Sequence, residues 1–235
     1  MQILITAGGT REYIDPVRFI SNASSGKMGY ALARAAIKAG HKVTLITAPT
    51  TQPPPEAAKV VKVETTIQMF ETVKKHFDRC DCLIMAAAVA DYTPLRPAKT
   101  KLKKSSQLLT VKLKPTPDIL KWAGKQKEVK SKKHAPTTGS GQAQSKAEGA
   151  KGKRQVVVGF ALEDKAVRIR AQEKLQGKNL DMIVANSPAA IGADRSSVQI
   201  KTPDSSWIEI QNATKAATAK RIIRLAEELL RAKLK

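Results

Sequence analysis

MQILITAGGT, residues 1–10, decides how the chain is read. Residues 2–6 form a short, nearly unbroken apolar run, rich in isoleucine and closed by two glycines. Such a run is too short for a buried helix and predicts a strand covered on both faces. No basic leader precedes it, so it reads as a first strand and not as a signal peptide.

The same signature recurs at residues 42–47, 82–87, 108–113, 156–160 and 181–185. Between these runs, residues 27–39, 66–78, 117–125 and 166–175 carry apolar side chains at helical spacing, and Gly40 supplies a stop after the first. Strand and helix in alternation predict βαβ units. The expected fold is therefore α/β and doubly wound: a mostly parallel, Rossmann-like sheet with helices on both faces. The tail differs. Residues 197–201 and 207–211 alternate apolar and polar around a turn holding Pro203 and Asp204, which predicts a C-terminal β-hairpin. Asn212 or Thr214 then caps a last helix whose apolar stripe is Ile222, Ile223, Leu225, Ala226, Leu229 and Leu230. No internal repeat appears, and residues 1–235 read as one domain.

A formal net charge of +22 invites a nucleic-acid reading, but its distribution weakens it. Residues 125–154 hold nine Lys/Arg against Glu128 and Glu148, almost without apolar residues, so residues 126–154 are expected to be a disordered basic insertion. Aromatic residues make up 4% of the chain, too few for a platform that stacks single-stranded bases. No apolar stretch approaches the roughly 20 residues that span a bilayer. Cys80 and Cys82, two residues apart, are expected on one side of a strand as reduced core thiols, and no second pair exists to complete a zinc site.

Ligands of open α/β sheets bind beyond the carboxyl ends of the strands, and each chemistry-bearing motif falls there. Gly8, Gly9 and Thr10 follow the first strand, where free N–H groups can receive a phosphate. This is not the G-x-G-x-x-G fingerprint, and 47–49 (Thr-Ala-Pro) offers no acid for an adenosine ribose, which disfavours a nicotinamide dehydrogenase. Ser24, Ser25, Gly26 and Lys27 enter a helix. They lack the spacing of a P-loop and fit either an anion site or a capped helix start. Residues 86–92 (AAAVADY) pair small side chains, which let a ligand lie against the backbone, with one polar anchor, Asp91. KTKLKK, residues 99–104, is either a solvated run or a cluster that closes over a triphosphate. Thr116-Pro117-Asp118, Gly159-Phe160 and the i, i+4 pair Lys174 and Lys178 complete the set. His41, His76 and His134 share no motif with a nucleophile, so positioning and charge stabilisation remain as the chemistry.

Taken in order, ITAGGT-REYIDPVRFISNASSGKMG, AAAVADY, KLKK, PTPDIL, GFALED and DMIVAN closely resemble phosphopantothenate–cysteine ligase. The resemblance runs from Met1 to the last helix, broken by residues 126–154, and implies a stand-alone ligase. It implies a two-step reaction: the carboxylate of 4′-phosphopantothenate attacks the α-phosphorus of CTP, and the amine of L-cysteine then displaces CMP from the acyl-cytidylate. Mg²⁺ would be held by the triphosphate and by no side chain. By the same resemblance Asn22 would support conversion of the intermediate. Ala87, Ala88 and Asp91 would line the nucleotide and acyl-phosphate pocket, and Lys101 would neutralise the phosphates. Pro117, Asp118, Ile119, Leu120, Phe160, Lys174 and Lys178 would complete the nucleotide site. A cytoplasmic homodimer without membrane or specific nucleic-acid partners is implied too. Ala23 and Asp164 depart from the family's usual residues but remove no proposed catalytic group. An NAD(P)-type or nucleotide-sugar enzyme and a basic nucleic-acid-associated module are the alternatives.

Overall fold

The structure, a computed structural model, describes residues 1–132 and 154–234. Strand β1 (Gln2–Ala7) leads through a hairpin, β2 (Arg11–Tyr13) and β3 (Phe19–Ser21), to helix α1 (Lys27–Lys38). Strands β4 (Lys42–Thr47) and β5 (Lys59–Lys62), helix α2 (Thr66–Phe77) and strand β6 (Cys82–Met85) follow. A second hairpin, β7 (Tyr92–Pro94) with β8 (Leu113–Pro115), precedes α3 (Ile119–Lys132), β9 (Val156–Leu162), α4 (Val167–Gly177) and β10 (Met182–Asn186). The chain ends in β11 (Arg195–Lys201), β12 (Ile208–Thr214) and α5 (Lys215–Leu234).

Eight strands form one sheet in the order β12-β11-β10-β9-β6-β1-β4-β5. All neighbours from β10 to β5 are parallel, while β11 and β12 are antiparallel additions at one edge. From β1 the chain moves outward to β4 and β5, then returns to β6 and moves outward the other way. The strand order thus reverses between β1 and β6, as in a doubly wound Rossmann-like fold.

Period-two side chains explain the two cores. Ile3, Ile5, Cys82, Ile84, Val156, Val158, Met182 and Val184 face α1 and α5, whereas Leu4, Leu83, Val157 and Ile183 face α2, α3 and α4. Helix starts are set locally. Thr65 and Gln68 form a capping box before α2, and Thr214 Oγ1 accepts the Ala217 N–H at 3.2 Å, which settles the cap of α5 on Thr214.

Three expectations change. Residues 108–113 are no sheet strand: Leu108 is 99% exposed, and only Leu113 joins the small hairpin with β7, because no helix among the described residues covers this segment. Helix α3 continues seven residues past its expected end, to Lys132, through Lys, Gln and Glu that favour helix. The remainder of the expected insertion, residues 133–153, lies outside the described residues. Cys80 and Cys82 are buried, but they sit in opposite cores, since Cys80 precedes the strand and does not follow its register.

Candidate functional site

Where the strand order reverses, the loops after β1 and β6 are sewn together. Thr6 Oγ1 accepts the Ala87 N–H at 3.1 Å, Gly8 O accepts the Ala88 N–H at 2.8 Å, and Thr10 Oγ1 accepts the Ala90 N–H at 2.9 Å. The Thr10 N–H returns to Ala88 O. A Cβ on Gly9 would come within 2.7 Å of Asn22 O, so the missing side chain is what lets the loop before α1 lie on this seam. Gly8, Gly9 and Thr10 are buried scaffold beneath the site rather than part of its surface.

Above the seam opens a cleft of about 730 Å³. Its floor is Ala86, Ala87 and Ala88, whose small side chains leave room against the backbone. One wall is the entry to α1: Asn22, Ser24, Ser25, Gly26 and Lys27. Asn22 Nδ2 donates to Val89 O at 3.0 Å, tying that wall to the floor. Gly26 caps α1 in the left-handed conformation without a side-chain bond. The opposite wall is Asp91 with Pro117, Asp118, Ile119 and Leu120 at the start of α3, and Phe160, Lys174 and Lys178 close it from β9 and α4.

The charges here are held in place. Lys178 Nζ lies 2.8 Å from Asp118 Oδ2, and Asp118 Oδ1 also accepts the Lys121 N–H at 2.9 Å, capping α3. Burial raises the Asp118 carboxyl, but the hydrogen bond from Lys178 and the bond from Lys121 outweigh it, and the group ends below its ordinary range. Lys174 donates to Phe160 O at 2.7 Å. Burial and then the charge of Lys178 lower its pKa, so its proton is held less firmly than that of an exposed lysine. Gly124 permits this corner: a Cβ there would stand 1.8 Å from Lys178 O, and Asn179 Nδ2 donates to Gly124 O at 3.2 Å.

Lys101 is placed apart. It is exposed and outside the cleft lining, on a loop docked through its neighbour Leu102. Asp15 is 1% exposed, and its carboxylate accepts N–H groups of Val17, Arg18 and Leu102, while the Arg18 guanidinium bonds both Asp15 and Leu102 O. Burial raises the Asp15 carboxyl, yet these donors together hold it well below the usual carboxylate range. Glu163 of GFALED and Asn186 of DMIVAN also line the cleft, as does Lys215, which was carried by no motif. Among the described residues no group of three His, Cys, Asp or Glu gathers to hold a metal ion. No helix among them is long and apolar enough to cross a membrane.

The chain matches the family described as the DNA/pantothenate metabolism flavoprotein C-terminal domain over residues 1–135 and 143–230. It is 36% identical to the coenzyme A biosynthesis bifunctional protein CoaBC of Borreliella burgdorferi over 95% of its own length and 52% of the relative's. To the CoaBC protein of Bacillus subtilis it is 42% identical, over 81% of this chain and 41% of that one. The chain therefore spans about half the length of the curated relatives it matches. The crystal structure of the C-terminal domain of a CoaBC protein is 35% identical, with a TM-score of 0.74 over 98% of this chain and 96% of that one. A Cab2 variant solved in complex with phosphopantothenate-cysteine shares the fold at 16% identity, with a TM-score of 0.71 over 100% of this chain and 89% of that one.

Proposed function

The chain belongs to the family of the DNA/pantothenate metabolism flavoprotein C-terminal domain, and from that membership we propose that it is the ligase joining 4′-phosphopantothenate to L-cysteine in coenzyme A biosynthesis. The observation that carries this reading is convergence. Asn22, Ala87, Ala88, Asp91, the 117–120 segment, Phe160, Lys174 and Lys178 come from five separate stretches of sequence and line one cleft at the switch point.

The chemistry asked of this cleft is orientation and charge stabilisation. Small alanines admit the nucleotide and acyl phosphate against the backbone. Lys174 and Lys178 supply point charges suited to phosphate oxygens. Asn22, held by Val89 O, presents an amide beside the reacting acyl group. CTP is the proposed nucleotide. Mg²⁺ is proposed to be carried by its triphosphate: the carboxylates of Asp118 and Glu163 are already engaged by Lys178 and Arg170, which suits a cation that keeps its waters and takes phosphate ligands. Lys101 is proposed to meet the phosphates from the loop docked on Asp15.

A second copy of the chain is the proposed protein partner. Val17 and Phe19 of the first hairpin, Tyr92 of the second and Leu95 next to it are exposed, and β2 lies beside β7, which supports these hairpins as the apolar contact region. The proposed compartment is the cytoplasm. Pyrophosphate release that depends on phosphopantothenate, cysteine and nucleotide together tests the reaction. Equal or faster turnover with ATP than with CTP, at the same Mg²⁺, would overturn the nucleotide assignment while leaving the ligation intact.

A further inference from the structure

The cleft wall at residues 24–26 has little of its own to hold it. These residues belong to neither strand nor helix, and the bonds they make locally are long: Gly26 N–H to Ser24 Oγ at 3.4 Å and Lys27 N–H to Ser25 Oγ at 3.5 Å. The ladder of α1 starts at Gly26 O, which accepts the Tyr30 N–H at 3.2 Å, so Ser25 O stands just outside it. Its donor comes from another part of the chain. Thr50 Oγ1 donates to Ser25 O at 2.7 Å.

Thr50 is itself held in place. The loop that carries it leaves β4 at Ala48, whose N–H bonds Ala7 O at 2.9 Å. At the far end Arg34 of α1 donates to Pro53 O at 2.7 Å. Between these anchors the Gln52 N–H donates to Thr50 Oγ1 at 3.2 Å. A hydroxyl has one proton to give, and accepting from Gln52 turns that proton toward Ser25 O. Gly26 completes the fit: its φ of +73° is left-handed, and a Cβ there would stand 2.8 Å from Thr50 Oγ1. Thr50 does not line the cleft. It faces a second cavity, of about 790 Å³, beyond the carboxyl ends of β4 and β5, and the two cavities share no lining residue.

We propose that Thr50 is a positioning residue for the cleft: its hydroxyl holds Ser25 and Gly26 from behind and so sets the wall against which substrate packs. The division of labour with Asn22 is geometric. Asn22 has its own anchor on the floor, at Val89 O. Releasing Thr50 therefore loosens the 24–26 wall and leaves the Asn22 amide where it is. A loosened wall must be ordered again each time a substrate binds. That cost is the same in the ground state and the transition state, so binding weakens while the chemical step is kept. The effect on substrates rests on the ligase reading; the ordering of the wall does not.

Thr50→Val keeps the outline of the side chain and removes the donor, while Thr50→Ser keeps the donor. Hydrogen exchange of the free protein reads the wall without any turnover. The amides of residues 24–27 are expected to exchange about tenfold faster in Thr50→Val, the loss of one bond to a carbonyl left unpaired, and at the wild-type rate in Thr50→Ser. In steady-state turnover Thr50→Val is expected to raise KM for the nucleotide or for phosphopantothenate about tenfold, with kcat within about twofold of wild type, and Thr50→Ser to restore KM. Thr51→Val, exposed on the same loop, should leave both exchange and kinetics unchanged. An inactive wild type would remove the ligase reading and leave the exchange rates to judge Thr50. Unchanged exchange in Thr50→Val, unchanged KM for both substrates, a fall in kcat at constant KM, or a Ser variant as impaired as the Val variant would each overturn the proposal.

Discussion

Asn22 Nδ2 donates to the carbonyl oxygen of Val89 at 3.0 Å, bridging the loop that enters α1 and the loop that leaves β6. Replacing that amide by a carboxylate sets two acceptors against each other at the reacting centre. Asn22→Asp is expected to lower kcat on the order of 10²-fold, the size of losing one positioned donor. The acyl-nucleotide should accumulate, because the cysteine step suffers more than the first. Mass spectrometry of quenched reactions reads this; turnover at the wild-type rate by a folded variant would remove Asn22 from the mechanism.

Lys101→Gln should act on the other half-reaction. Losing one ammonium where charge develops as pyrophosphate leaves costs roughly 2–4 kcal/mol, or on the order of 30- to 1000-fold. Little acyl-nucleotide should form. Unchanged single-turnover formation would show that Lys101, exposed as it stands, never meets the phosphates.

The pH dependence of nucleotide binding follows from Lys174. Only the ammonium attracts phosphate, and burial followed by the Lys178 charge lower its pKa beneath 10.5. Affinity should therefore fall as pH rises, beginning below the range where an exposed lysine titrates, and Lys174→Gln should flatten that limb. Kd measured from pH 7 to 10 decides it. Stability moves the opposite way, rising with pH through this window because the unfolded chain holds the extra proton.

Asp15 moves stability in the same direction, but in the acid range. Its folded pKa lies below the ordinary 3.8, so its contribution is fully present above that value and is lost as pH falls beneath it. Asp15→Asn should lower Tm at pH 7, and the gap from wild type should narrow toward pH 3. Because Leu102 loses its acceptor, trypsin should also cleave the 101–104 run faster. Equal cleavage rates would mean that this carboxylate does not hold the loop.

Gly124→Ala tests the corner under the nucleotide lysines. A Cβ 1.8 Å from Lys178 O forces backbone apart, so the gain of about 1 kcal/mol in helix propensity is outweighed by overpacking that typically costs about 1–3 kcal/mol or more. Tm should drop by several degrees, and the KM for nucleotide should rise with the displacement of Lys178. A variant as stable as wild type would show that α3 and the Lys178 turn separate easily.

Much of this was legible because burial writes itself into sequence. The strands β1, β4, β6, β9 and β10 are apolar runs, since both of their faces are covered. β5 was not legible: KVVK is four residues long and follows a proline-rich stretch, below the length at which periodicity speaks. Residues 108–113 misled for the opposite reason, an apolar run with nothing to cover it. At the site, Asn22 and Asp91 announce themselves through motifs in loops that follow strands, and Lys174 through its i, i+4 spacing with Lys178 on α4. Lys215 does not, because it joins Lys27 in the cleft lining only after the whole intervening chain folds back. The available signal was a lysine directly after a helix cap, where the dipole disfavours it. Gly124 and Asp15 owe their importance to close approach and burial, which no local pattern records.

The outer strand β5 begins with Lys59 and ends with Lys62, and among the described residues it pairs on one side only, with β4. An antiparallel copy of KVVK laid against its open side would bring Lys59 of each chain opposite Lys62 of the other. Like charges facing across a ladder destabilise it, and lysine on a rim strand is a common guard against such pairing. The sheet is therefore closed to growth from this margin. Chains that meet are thus turned away from this edge, in keeping with the association through the two hairpins proposed above.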